Sequence, residues 1–270
     1  MNETIMNKKL DYERELKRYR ETIEGYLDKV LPSRDMEPKI IHRAMRYSVF
    51  SGGKRLRPLI VLVVGRMLEV DEKKILPVAC GIELIHNFSL IHDDLPTMDN
   101  DDYRRGKKTC HKKFNEAIAI LAGDALLTLG FKLIAEAGNM TLVKETADAI
   151  GSVGMAGGQV MDILAKGKKA SLQKKKVIDY LKTGKLFQLC FSVPLFFTEI
   201  DKETRKKILS IGNNFGIAFQ IRDDMEDKEG DRDRLRSSLE TLYKKMKRDI
   251  AFFGKEGAPL LCLVEQLYRT

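Results

Sequence analysis

Apolar residues recur every three to four positions along nearly the whole chain, and the two-residue alternation of a half-buried strand is almost absent. The sequence therefore predicts helices from end to end. A first helix is expected over 12–30, stopped by Pro32, and a second over 38–50, whose opening proline suits the first helical position. Gly52-Gly53 breaks the chain. Further helices are expected over 58–68, from Lys74 to the aspartates at 93 and 94, and over 114–137, 141–164, 172–197, 203–226 and 235–253. Several, such as 117–129, are apolar on nearly every face, which predicts a place at the centre of a bundle. No repeat, linker or low-complexity stretch interrupts the pattern. The expected fold class is all-α, with one domain over residues 1–270.

Composition narrows the class. At 270 residues and 43% hydrophobic, the chain can bury a sizeable core. The longest apolar stretch, 59–64, is too short to cross a bilayer, and no secretory pattern is visible, so no membrane span and a cytoplasmic location are expected. Cys80, Cys110, Cys190 and Cys262 are scattered without a Cys-x-x-Cys pair, which fits reduced thiols. Cys110 beside His111, with no further ligands, makes a poor metal site. The formal net charge of +9 favours anionic partners. No zinc finger, aromatic RNA-binding motif or Walker-type loop is present, which argues against nucleic acid. The lysine runs 166–169 and 174–176 read most simply as solvated surface.

Candidate chemistry is concentrated in 92–105, His-Asp-Asp-Leu-Pro-Thr-Met-Asp-Asn-Asp-Asp-Tyr-Arg-Arg. Carboxylates suit Mg²⁺, which takes one or two of them together with water and substrate phosphates. The fork of a guanidinium suits the phosphates themselves. A solvated acidic turn is the plain alternative. What shifts the balance is a second cluster, Asp223, Asp224 and Asp227, at the end of another apolar run, with Gln220 one turn earlier. Asp93 and Asp99 are six apart, off-face on an unbroken helix, but Pro96 offers a break that lets Asp99 return toward Asp93. His86 lies two turns before Asp93 and shares its face.

Cations recur at marked places. Gly52-Gly53-Lys54-Arg55-Leu56-Arg57-Pro58 sets three of them on a glycine-permitted turn before a helix, a fitting cradle for a diphosphate. Lys182-Thr183-Gly184 puts a glycine inside a helical stretch, which predicts a kink or a close approach. Gly157-Gly158-Gln159 with Asp162 is similar, although tight helix packing explains those glycines equally well.

Together these pieces resemble the trans-isoprenyl diphosphate synthases of the polyprenyl synthetase family. The matching segments are 52–58, Gly-Ile-Glu-Leu-Ile-His ending at His86, the first Asp-rich motif Asp93 to Asp99 with Arg104-Arg105-Gly106, Leu121-Ala122-Gly123-Asp124, Gly157-Gly158-Gln159, Lys182-Thr183-Gly184, and Phe219-Gln220 before the second motif. They keep the family's order over about residues 40 to 231. The resemblance implies antiparallel helices around a deep central cavity, a homodimer, and head-to-tail condensation of isopentenyl diphosphate with an allylic diphosphate. By the same resemblance, Asp93, Asp94, Asp99, Asp223 and Asp227 would hold Mg²⁺, with Asp224 in support. Lys54, Arg57, His86 and Arg105 would bind isopentenyl diphosphate, and Arg104 with Lys182 the allylic diphosphate. Thr183 and Gln220 would line the path of the carbocation. Phe88 and Ser89, five and four residues before Asp93, stand where the family sets product length. The ring at 88 and the four residues between Asp94 and Asp99 resemble short-chain bacterial farnesyl diphosphate synthases, with geranyl or geranylgeranyl diphosphate as alternative products.

One segment departs from the family. After Asp231 the expected loop and its Lys-Thr element are missing, and the chain goes straight to Arg232-Asp233-Arg234 and an amphipathic helix. Either the loop is lost or the sequence joins across an omitted flap. The second is favoured, because a flap that closes over substrate is an expected device. A true loss would raise a rival reading, a non-catalytic regulatory subunit.

Overall fold

A computed structural model describes residues 2–166, 171–226 and 231–269. The chain gathers into two compact units. One comprises Tyr19–Leu59 and Lys73–Asn139 and carries the first Asp-rich motif. The other comprises Met1–Arg18, Ile60–Glu72 and Met140–Thr270 and carries the second. The all-α expectation holds: among the described residues the only strands are β1, Tyr103–Arg104, and β2, Lys107–Lys108, paired antiparallel as a minimal ribbon.

Helix α1 spans Asn2–Val30, and its residues from Tyr19 onward belong to the first-motif unit. This unit continues with α2, Lys39–Val49, the opening turn of α3, Leu56–Met67, and α4, Glu72–Asp93. After the ribbon come the single-turn α5, Cys110–Lys113, and α6, Glu116–Ala135. The side chain of Asn115 caps α6 by accepting from the Ile118 N–H at 2.8 Å, and the helix runs unbroken inside the bounds expected, 114–137. Ile23, Leu27, Val49, Ile82, Ile85 and Leu126 are fully buried.

Two expectations about apolar helices are corrected here. Helix α6 buries Ala119, Ala122, Gly123, Leu126, Leu133 and Ile134 along one side, but Ile120 and Leu121 are 44% and 52% exposed, so it is not enclosed on all faces. Moreover α4 and α6 are long and apolar enough, by length and composition, to cross a membrane, which the run 59–64 alone did not reveal. Most of α4 is buried inside the protein, as a core helix should be.

The second-motif unit holds α7, Met140–Ile150, α8, Met155–Ala165, α9, Leu172–Asp179, α10, Lys185–Ser192, α11, Lys202–Glu226, α12, Arg232–Ala251, and α13, Ala258–Arg269. The single helix expected over 141–164 is broken at Gly151 to Gly154, and that over 172–197 by a π-helical turn, Tyr180–Gly184. Helix α13 lies beyond the last expected element. Helix α11 packs against α10 and α12, and the rings of Phe187, Phe191 and Phe215 meet at 5.3 to 5.5 Å between centroids. The carboxylate of Asp231 caps α12, accepting from the N–H groups of Asp233 and Arg234 at 3.1 and 3.3 Å. Asp231 thus serves directly as the start of the next helix.

Candidate active site

In the first-motif unit the helix stops at Asp93, as Pro96 leads one to expect. The chain then folds back: the Asp99 N–H donates to the Asp93 carbonyl at 2.9 Å, and the Asp101 N–H to the Asp94 carbonyl at 3.2 Å. Asp93 and Asp99 therefore begin from the same turn. Asp94 already has an internal partner. It is 3% exposed, and its Oδ1 accepts from Nε and Nη2 of Arg104 at 2.7 and 2.6 Å. Burial pushes its carboxyl above the usual range, and the Arg104 guanidinium only partly offsets this.

Arg104 and Arg105 are neighbours with different partners, and the ribbon explains why. Arg105 and Gly106 form its two-residue turn with φ of 54° and 74°, the pattern of a type I′ hairpin. Arg104 reaches Asp94, while Arg105 donates to the carbonyl of Gly52. The Arg105 guanidinium lies flat against Gly53, where a Cβ would come within 2.7 Å of Nη1. Gly52 and Gly53 also have φ of 105° and 131°, so this approach requires glycine twice over, for conformation and for space.

The middle cation of the Lys54-Arg55-Leu56-Arg57 run is the residue that sequence reasoning missed. Arg55 is 3% exposed and sits at φ 50°. Its guanidinium bonds Glu24 of α1 at 2.7 Å, Glu83 of α4 at 3.0 Å and the Val49 carbonyl at 2.5 Å. Glu83 also faces Asn87. This cluster, buried at Arg55 and Glu83, pins the turn that presents Lys54, which is exposed, and Arg57, which is half-buried. Nearby on α4, burial and then the charges of Arg57, Arg105 and Arg104 hold His86 well below its ordinary pKa. Arg105 is itself lowered, first by burial and then by Arg55 and Arg104, against the pull of Glu83. So many like charges around one imidazole make a place that an anion would relieve. Phe88 is half-buried, and the Ser89 hydroxyl is turned back onto the His86 carbonyl at 2.9 Å.

In the second-motif unit the π turn contains Lys182 and Thr183. Such turns are rare and mark places where a helix is reshaped. Both sequence expectations for Gly184 are met, because the kink coincides with a close approach: a Cβ on Gly216 of α11 would lie 3.0 Å from the Gly184 Cα. Packing also accounts for Gly158, where a Cβ would lie 2.5 Å from the Lys182 nitrogen. Lys182 Nζ meets Asp162 at 2.7 Å. Beside it, Gln159 is buried with both amide atoms lacking a partner among the described residues, the mark of a group awaiting one. On α11, Gln220 donates to Asp224 Oδ1 at 3.2 Å, and Lys175 reaches Asp224 Oδ2 at 3.3 Å. Lys175 is thus not the plain surface lysine expected of 174–176. Asp223 shares the last turn of α11 with Asp224, and Asp227 lies outside the described residues.

The donors fit Mg²⁺ as to type. Among the described residues no three acidic, His or Cys groups are gathered for a metal, and Mg²⁺ commonly takes only one or two carboxylates and completes its shell with water and phosphate oxygens. Asp93 and Asp99, joined through their backbones, are suited to that partial role.

A family model described as polyprenyl synthetase matches residues 38–251, a span that runs from the start of α2 to the end of α12 and contains both Asp-rich motifs. The chain belongs to the polyprenyl synthetase family. It is similar to the farnesyl diphosphate synthase of Bacillus subtilis, 43% identical over 80% of this chain and 75% of that one. A geranylgeranyl diphosphate synthase of Cyanophora paradoxa is 32% identical over 91% of this chain and 92% of its own length. Among solved structures, a geranyltransferase from Legionella pneumophila superposes with a TM-score of 0.91 at 32% identity, over 96% of this chain and 98% of that one. For a polyprenyl synthetase, then, the fold and the order of motifs are as the sequence led one to expect.

Proposed function

We propose that the chain is a Mg²⁺-dependent trans-prenyltransferase that condenses isopentenyl diphosphate with dimethylallyl or geranyl diphosphate to give farnesyl diphosphate and free diphosphate. The observation that carries this reading is the cluster of Arg57, Arg104 and Arg105 around a neutral His86, beside an aspartate turn, in a chain 43% identical to a farnesyl diphosphate synthase. On this reading the two units work as one catalytic domain.

Lys54, Arg57, His86 and Arg105 bind isopentenyl diphosphate, and Arg104 with Lys182 binds the allylic diphosphate. To do so, Lys182 loosens its hold on Asp162, while Arg104 keeps its hold on Asp94 and offers its remaining N–H groups. Mg²⁺ held by Asp93, Asp94 and Asp99, and by Asp223, Asp224 and Asp227, would neutralise the diphosphate so that it can leave. The allylic C–O bond breaks, and the oxygen dipoles of Thr183 and Gln220 face the cation without being nucleophilic enough to trap it. The isopentenyl double bond attacks the cation, and the proton lost in forming the new double bond goes to the departing diphosphate. Phe88, with Ser89 beside it, forms the floor that stops the growing chain.

The exposed apolar side of α6, with Ile120 and Leu121, supports a homodimer. Four buried, unbridged cysteines support a reducing, cytoplasmic setting. No nucleic acid and no membrane span enter this reading.

The test is a product assay with Mg²⁺, labelled isopentenyl diphosphate and either allylic starter, chain length being read after dephosphorylation. A C15 product lost with chelator or in Asp93→Ala is the expected result. The absent loop after Asp231 favours a second reading, a non-catalytic subunit, and folded protein that yields no product from either starter would establish it over the first.

A further inference from the structure

Beyond Phe88 itself, the structure assigns a positioning device for that ring. We propose that His92 and Gly123 fix where Phe88 stands and so help set product length. The inference rests on the reading of Phe88 as the floor.

Phe88 and His92 are one turn apart on α4 and share a face. Their rings meet edge to face, with centroids 4.9 Å apart and planes at 75°. His92 is held in turn by α6: its Nε2 lies 3.1 Å from the Ile120 carbonyl and 3.9 Å from Asp124 Oδ1. The imidazole rests on the bare backbone of Gly123. A Cβ there would lie 2.3 Å from Nε2 and 2.6 Å from Cδ2, closer than real contacts allow. The atoms it would strike belong to the mobile end of a side chain rather than to backbone. A methyl at 123 therefore moves the imidazole and leaves the helices in place. Once the imidazole moves, the Ile120 bond and the edge contact with Phe88 go together, and the Phe88 ring gains rotamers that the brace denies it.

Gly123 has no side chain to touch substrate, and it acts only through His92. The experiment compares products of the full chain at equal conversion for Phe88→Ala, His92→Ala, Gly123→Ala and the double variant Gly123→Ala/His92→Ala, with melting curves alongside. The expected result is a severalfold rise in the C20-to-C15 ratio in each single variant, with the double variant no further shifted than His92→Ala. General loosening of the fold would lower activity without that ratio pattern. If Phe88→Ala lengthens products while His92→Ala and Gly123→Ala do not, or if the double variant adds the two shifts, the inference is overturned and the floor reading stands. An unchanged profile in Phe88→Ala removes both. Should Gly123→Ala fail to fold, His92→Ala against Phe88→Ala still decides.

Discussion

The two Asp-rich motifs are set in different kinds of surroundings. In the first-motif unit, key charges meet buried partners: the buried Arg55 pairs with the buried Glu83 as well as with the more exposed Glu24, and Arg104 pairs with the buried Asp94. In the second, Lys182 with Asp162 and Lys175 with Asp224 are pairs that water reaches, with side chains mostly about a third exposed. A buried ion pair is costly to break but holds its members in one geometry, whereas an exposed pair is weak and exchanges readily. The first half is thus built in advance of substrate, and the second is arranged to trade its internal partners for one.

The sharpest way to break this contrast is Arg55→Leu. It strands Glu83, 3% exposed at its side chain, and should destabilise the fold by about 3–5 kcal/mol in urea unfolding. A loss within the range of an ordinary surface substitution would mean that the cluster is not what fixes the turn. Next in size is Gly53→Ala, which dislodges Arg105 and should raise KM for isopentenyl diphosphate on the order of tenfold to a hundredfold, with KM for the allylic substrate little changed. Equal effects on both substrates would contradict the assignment of that turn to one of them.

A pH experiment probes the same half more gently. His86 is depressed below its ordinary value of 6.5, so between 6.5 and its folded value the unfolded chain binds more protons. Wild-type stability then falls as pH drops below that value. His86→Gln lacks this penalty, and the wild type should lose ground to it between about pH 7 and about pH 5. Parallel stability curves would count against the cationic crowding. The smallest effect belongs to the other half. Lys182→Ala should change stability by less than about 1 kcal/mol even while turnover drops, because its bond to Asp162 is exposed and screened. A large drop in melting temperature would show that the second half is as preassembled as the first.

The helices were legible because each must bury an apolar stripe, and so was the break after Asp93, because Pro96 cannot continue a helix. The sequence also pointed to a disturbance at Gly184. Arg55 was hidden, since in a run with Lys54 and Arg57 it looks like one more solvated cation, and its partners lie 31 and 28 residues away. The pairing of Asp94 with Arg104 was hidden too, since nothing in the spacing of an acid shows which cation it will meet. Helix α6 misled for another reason: an all-round apolar pattern says that every face avoids water, but not that the same chain supplies the cover. Lys175 was missed because charge on a short helix carries no mark of which acid it will meet.

The π turn at Tyr180–Gly184 has a consequence for how this protein can change. A π turn is a helix carrying one residue more than the regular ladder needs. Deleting one residue there would restore the ladder and leave α9 and α10 near their present faces, while the residues of the turn itself would each shift by one place, about 100° around the helix axis. The directions of Lys182 and Thr183 therefore depend on a residue count as well as on residue identity. Point substitutions sample the second, and only insertions and deletions sample the first, so a loss of one codon here would redirect both groups while leaving each of them in the sequence.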